Sequence, residues 1–142
     1  MGSPTSGRVL IVDDEWIVAK TLKEIFVRAG FETRTAASAE EALLLLHGAD
    51  GWTPKFALLD VNLPGMNGLD LSMLLKRQFP LCSVMLFSGD AYTSELLDVA
   101  RHQGETFEVI PKPVPPDVLL QRARLALQTG EHAGAMLQVF ES

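Results

Sequence analysis

Three consecutive acids, Asp13, Asp14 and Glu15, follow directly on the apolar run LIV. Like charges at the end of a buried strand repel one another and lose hydration, so the run costs free energy unless a cation compensates for it. A second apolar run, KFALL, also stops at an acid, Asp60. A few carboxylate oxygens with room left for water are typical of Mg²⁺ rather than of zinc. The sequence therefore predicts a Mg²⁺ site at Asp13, Asp14 and Asp60.

A hydroxyl and a lysine end two further apolar segments, because Ser88 closes CSVMLFS and Lys112 follows TFEVIP. An aspartate beside a metal can act as a nucleophile toward a phosphoryl group and form an aspartyl phosphate. Phosphoryl transfer depends mainly on positioning and on positive charge near the phosphoryl oxygens, which a metal and a lysine supply. The predicted chemistry is phosphoryl transfer to Asp60, with Lys112 and Ser88 binding the phosphoryl oxygens.

Five strand-like segments alternate with helix-like ones along the chain, which predicts an α/β fold with a parallel sheet between helices. Three of the strands are apolar throughout, whereas FETRT is polar enough for a sheet edge. Ligands of such sheets bind outside the carboxyl ends of the strands, where the acids, Ser88 and Lys112 lie. The predicted strands are RVLIV, FETRT, KFALLD, CSVMLFS and TFEVI, and the predicted helices are Trp16 to Ala29, Ser38 to Gly48, Asn67 to Phe79, Ser94 to His102 and Asp117 to Leu127.

The composition limits the class of protein. A length of 142 residues with 47% hydrophobic residues suits one domain, predicted over 8–128, with a leader over 1–7 and a tail or linker start over 129–142. The net charge of −6 and the absence of a basic block argue against direct contact with nucleic acid. One cysteine and no apolar run of about 18–20 residues predict a cytoplasmic protein without a membrane segment.

Four strings in register, LIVDDE, LLDVNLPGMNG, VMLFSG and VIPKPV, resemble the motifs of the response-regulator receiver domain of two-component signal transduction. The resemblance implies a flavodoxin-like (CheY-like) doubly wound fold: a five-stranded parallel sheet of order 2-1-3-4-5 with helices on both faces. It also implies roles for the polar residues at the carboxyl ends of the strands, which form one rim of the sheet. The implied phosphoacceptor is Asp60, the implied metal ligands are Asp13, Asp14, Asp60 and the backbone carbonyl of Asn62, the implied switch hydroxyl is Ser88, and the implied phosphate-binding lysine is Lys112, followed by a cis bond to Pro113.

The same resemblance implies a function and its partners. A sensor histidine kinase or phosphotransfer protein would phosphorylate Asp60 with Mg²⁺, and the phosphorylated domain would change a protein-interaction surface. Such a domain catalyses only its own phosphorylation and dephosphorylation, so the sequence predicts a signalling switch rather than a metabolic enzyme. The chain departs from the family at Val109, where an aromatic residue usually lies three positions before the lysine.

Two alternatives stay open from the sequence. A degenerate receiver would keep the fold as a phosphorylation-independent interaction module, although the full set of acids argues against it. A phosphatase working through an aspartyl phosphate would usually have a second acid two residues after the nucleophile, where this chain has Asn62. The sequence also leaves open whether this is a stand-alone regulator or part of a longer protein.

Overall fold

The computed structural model describes residues 7–88, 98, 108–112 and 115–128, and for Glu108, Val109 and Pro111 it describes the backbone. The predicted helix around Ser94 to His102, apart from Asp98, and the predicted tail lie outside this range, as do residues 1–6 of the predicted leader. The strands are β1 (Arg8–Val12), β2 (Glu32–Ala36), β3 (Phe56–Asp60), β4 (Ser83–Ser88) and β5 (Glu108–Pro111), and the helices are α1 (Trp16–Arg28), α2 (Ala39–Leu46), α3 (Gly68–Gln78) and α4 (Pro116–Gln128).

The strands form one parallel sheet in the order β2-β1-β3-β4-β5. The α/β class and the order of the first four strands were predicted correctly, and β2 lies at an edge as its polarity predicts. The short β5 pairs with β4, from Met85 opposite Glu108 to Ser88 opposite Pro111. This order sets the carboxyl ends of β1 and β3 side by side, with β4 next to β3.

Two apolar layers cover the two faces of the sheet. Alternate residues of β1 belong to different layers, because Val9 and Ile11 pack with α1 and α4 whereas Leu10 and Val12 pack with α2 and α3. Each fully buried aliphatic or aromatic side chain contributes about 1.5–3 kcal/mol, so both layers stabilise the sheet strongly. Strands that are buried on both faces need an uninterrupted apolar sequence. Polar residues therefore follow only where these strands leave the core.

Side-chain caps fix where two of the helices begin. Ser38 caps α2, since its hydroxyl oxygen accepts a hydrogen bond from the Glu41 amide at 3.1 Å. Asn67 caps α3, since its side-chain oxygen accepts one from the Asp70 amide at 2.8 Å. Both caps were predicted. None of the helices in the described part of the chain has the length and apolar character needed to cross a bilayer.

A charged network surrounds a tryptophan at the amino end of the sheet. Trp52 is buried and donates from Nε1 to Glu32 Oε2 at 2.7 Å, while the Arg34 guanidinium lies 4.7 Å from its ring centroid. Arg34 pairs with Asp50 at 2.8 Å, and Arg8 pairs with Glu32 at 3.4 Å. These five residues, called the amino-end network below, attach the loop before β3 to the edge strand β2. The sequence placed Trp52 in a loop but gave no indication that it is buried.

Candidate functional site

Two buried aspartates meet where β1 and β3 end. Asp60 is the last residue of β3 and Asp13 follows β1, and their exposed fractions are 3% and 1%. The Asp13 amide donates to the Ala36 carbonyl at 3.1 Å, so the chain keeps its sheet-like path past the strand end. The predicted meeting of Asp13 and Asp60 at one rim is confirmed.

Lys112 lies between the acids. Its Nζ is 3.0 Å from Asp60 Oδ2, 3.2 Å from Asp13 Oδ2 and 3.2 Å from Glu15 Oε1. Its backbone amide donates to the Ser88 carbonyl at 3.0 Å, which ties the start of the side chain to the end of β4. The ammonium also lies 4.7 Å from the centroid of the Phe87 ring, a distance typical of a cation–π contact. We call Asp13, Glu15, Asp60 and Lys112 the carboxylate site.

The carboxylate site changes the protonation behaviour of two of its members. Burial raises the pKa of Asp13 to about 6, against the opposing hydrogen bond from the Glu15 amide, and the negative charge of Asp60 raises it further. Burial alone would lower the pKa of Lys112, but its hydrogen bonds and attraction to Asp60 and Asp13 outweigh that and raise the pKa above its usual value. The lysine is therefore a permanent cation, and the acids outnumber it.

The turn after β3 orients the Asp60 carboxylate. The Asn62 amide donates to Asp60 Oδ1 at 2.9 Å, so both carboxylate oxygens of Asp60 are held, one by the turn and one by Lys112. The Asn62 side-chain amide donates to Ser88 Oγ at 3.3 Å, which places the hydroxyl of Ser88 beside this turn. Helix α3 begins very close to the end of β3, because a Cβ on Gly68 would overlap the Asp60 carbonyl oxygen. Only glycine allows that approach.

Asp14 is a predicted metal ligand whose side chain the structure does not bring into the carboxylate site. Its side chain is exposed, whereas Asp13, Glu15 and Asp60 each offer a carboxylate oxygen within 4.8 Å of the others. The role of Asp14 as a metal ligand stays a prediction. Glu15 is the third acid of the run DDE, and this run is the sequence signal for it, although the predicted site did not include it.

The donor set fits a hard divalent cation. The three clustered carboxylates offer oxygen atoms, and the Asn62 carbonyl that the family resemblance implies is another oxygen donor. Two of the carboxylates are buried with one lysine between them, so a bound Mg²⁺ would compensate for charge that Lys112 leaves unbalanced. Among the described residues, these are the His, Cys, Asp and Glu side chains that group closely enough to hold a metal.

Val109 can be located only by its backbone, which lies in β5 opposite Leu86. Its side chain lies outside the described part of the structure. The departure from the family at Val109 therefore rests on the sequence, and the cis bond between Lys112 and Pro113 stays a prediction.

Comparison with known proteins agrees with the geometry. Residues 9–124 match the family model described as the response regulator receiver domain. The chain is 31% identical over 124 residues to the DNA-binding response regulator MtrA of Mycolicibacterium smegmatis, covering 87% of this chain and 52% of that protein. It is 30% identical over 128 residues to the aerobic respiration control protein ArcA of Escherichia coli K12, covering 90% of this chain and 51% of that protein. The chain thus spans about half the length of these relatives.

Solved structures show the same fold. A CheY-like response regulator receiver domain protein from Methanospirillum hungatei superposes with a TM-score of 0.77 at 29% identity, covering 91% of this chain and 99% of that one. The receiver domain of NtrX from Brucella abortus superposes with a TM-score of 0.70 at 33% identity, covering 85% and 98%. From the fold, the rim of acids around a lysine and the family match together, the chain belongs to the response regulator receiver domain family of two-component systems.

Proposed function

We propose that residues 8–128 form a receiver unit that accepts a phosphoryl group on Asp60 from a histidine kinase or a phosphotransfer protein. The observation that carries this proposal is the environment of Asp60: a buried carboxylate at a strand end, with one oxygen 3.0 Å from the Lys112 ammonium and the other held by the Asn62 amide. Both contacts fix the carboxylate in one orientation, which is what an in-line displacement requires of its nucleophile.

In the proposed step, one oxygen of Asp60 forms a bond to phosphorus. The bond between phosphorus and the donor nitrogen, an imidazole nitrogen of a phosphohistidine, breaks, and its electron pair stays on that nitrogen. Lys112 stabilises the negative charge on the phosphoryl oxygens as a point charge. Ser88 donates a hydrogen bond to one of these oxygens, drawn toward Asp60 from its place beside Asn62.

Mg²⁺ would be held by Asp13, Asp60 and the Asn62 carbonyl, with Asp14 as a further predicted ligand, and it supplies positive charge near the phosphoryl oxygens. The remaining work falls to the chain itself. Asp13 is fixed by two contacts, one from the Glu15 amide at 2.9 Å and one from Lys112, so it is already oriented toward the rim before any cation binds.

Intact-mass measurement after incubation with acetyl phosphate tests the proposal. The wild-type protein should gain the mass of one phosphoryl group in the presence of Mg²⁺ and not in EDTA, and Asp60→Asn should gain none. Asp117→Asn, at an exposed position in the first turn of α4, is the matched control and should be labelled like wild type.

Other results would point to the alternatives. Equal labelling of Asp60→Asn would exclude Asp60 as the phosphoacceptor. The absence of labelling in wild type would favour a degenerate receiver that acts as an interaction module. Turnover of p-nitrophenyl phosphate by wild type would favour a phosphatase.

A further inference from the structure

Glu15 is the third acid of the carboxylate site, and the role inferred for it rests on the proposed function of Asp60. A lysine ammonium has three N–H donors. In this structure Lys112 has three carboxylate partners, one oxygen each from Asp13, Glu15 and Asp60. A phosphoryl oxygen can therefore bind Lys112 only by replacing one of the three.

The three partners differ in how easily they can leave. Asp13 is buried, and its second oxygen is held by a backbone amide at 2.9 Å. Asp60 is buried as well, is held by the Asn62 amide and is itself the proposed nucleophile. The side chain of Glu15 is 63% exposed and is longer by one methylene. It can leave Lys112 for water without burying or stranding a charge.

The position of Glu15 on the helix supports a specific role for its side chain. Glu15 is the N-cap residue of α1, where the helix dipole favours a negative charge. Its carboxylate makes no cap hydrogen bond and extends to Lys112 instead. The Glu15 carboxylate is thus directed to Lys112 rather than to the amides of the first turn.

We propose that Glu15 is a placeholder for the phosphoryl group: its carboxylate occupies one donor of Lys112 in the unphosphorylated protein and is displaced on phosphorylation. It is a positioning residue, since it acts through Lys112 and is not required to contact the phosphoryl group. Displacing it costs the ion pair, and its negative charge also repels the incoming anion. Glu15 therefore weakens the binding of phosphoryl groups at Asp60 and favours the unphosphorylated state.

The test compares Glu15→Gln with Glu24→Gln, which removes the same charge from an exposed position within α1. The probe is beryllofluoride, a mimic of the phosphoryl group, titrated at saturating Mg²⁺ by calorimetry. Glu15→Gln should bind beryllofluoride more tightly than wild type by about three- to tenfold, consistent with the loss of one exposed ion pair and of its repulsion. Glu24→Gln should bind like wild type.

A second variant separates the contact from folding. Serine is a preferred N-cap, so Glu15→Ser should keep α1 stable while also freeing Lys112, and it should tighten beryllofluoride binding as well. A residue that merely supported the fold, or one that bound Mg²⁺, would give the opposite result, because its loss would weaken binding of the probe. The sign of the change therefore distinguishes a placeholder from both.

Two outcomes overturn the inference, and they can be told apart. If wild type binds beryllofluoride and the Glu15 variants bind it equally well or more weakly, the placeholder role is wrong while the proposed function of Asp60 stands. If wild type does not bind beryllofluoride at saturating Mg²⁺, the proposed function fails and the placeholder role fails with it.

Discussion

Charged residues cluster at both ends of the same parallel sheet, but the balance of charge differs between the two ends. The amino-end network pairs two arginines with two acids around one tryptophan. The carboxylate site sets three acids around one lysine, which leaves two negative charges in excess. The side chains of the first cluster's ion pairs are between 33% and 53% exposed, whereas two acids of the second are almost fully buried.

This difference separates charges that stabilise the fold from charges that prepare it for a ligand. Paired charges near water contribute little and cost little, so the amino-end network can hold a loop without further help. Buried acids in excess of their cation destabilise the ligand-free protein. A cation that binds these acids compensates for their charge. The free energy that the ligand-free protein lacks is then regained on binding, which makes the cation bind more tightly. The two ends should therefore respond oppositely when an acid is removed.

The largest effect is expected from removing the cation. Lys112→Met keeps the length and apolar contacts of the side chain but leaves three acids without a cation. We expect the free energy of unfolding in EDTA to fall by about 3–5 kcal/mol, as is typical when one partner of a buried ion pair is removed. Mg²⁺ should restore much of this loss, because it can take over the charge compensation.

The control for Lys112→Met is Lys23→Met, at an exposed position of α1. This variant should change the free energy of unfolding by less than about 0.5 kcal/mol, as is usual for surface positions. Urea denaturation with and without Mg²⁺ measures both. A similar small loss for Lys112→Met, without any effect of Mg²⁺, would show that the acids are not a strained cluster.

The sequence predicts the carboxylate site better than it predicts the amino-end network. The apolar runs stop at Asp13, Asp60 and Ser88, and parallel pairing necessarily brings such strand ends together. Which of the neighbouring acids turns toward Lys112 depends on side-chain rotamers at the start of α1, so the sequence favoured Asp14 where the structure has Glu15. The burial of Trp52 depends on where a loop packs against β2, a long-range contact that no local pattern encodes.

The next effect in size is a gain of stability on removal of a buried acid. Asp13→Asn keeps an oxygen that can accept from the Glu15 amide and removes one of the charges that repel Asp60. In EDTA we expect a gain of about 1 kcal/mol, or roughly 2–4 °C in melting temperature for a domain of this size. The stabilisation that wild type gains from Mg²⁺ should be weakened in this variant. A lower melting temperature in EDTA would indicate that Asp13 supports the fold rather than adding to the excess charge.

The smallest effect, and the matched counterpart at the other end, is expected from Asp50→Asn. Asparagine can still accept the hydrogen bond from the Trp52 amide, but it loses the ion pair with Arg34. At neutral pH the melting temperature should fall by about 1–3 °C, opposite in sign to the effect of Asp13→Asn.

The effect of Asp50→Asn should also depend on pH. The hydrogen bond from Arg34 lowers the pKa of Asp50 below its usual value, so the contribution of the Asp50 carboxylate to stability is complete above the unfolded-state pKa and is lost as the pH falls through the lower folded-state value. The difference between wild type and variant should thus be constant down to about pH 4 and shrink below it. Thermal unfolding of both proteins from pH 7 to pH 2.5 measures this difference directly. If Asp50→Asn were more stable than wild type at neutral pH, the amino-end network would not be the balanced cluster that its geometry indicates.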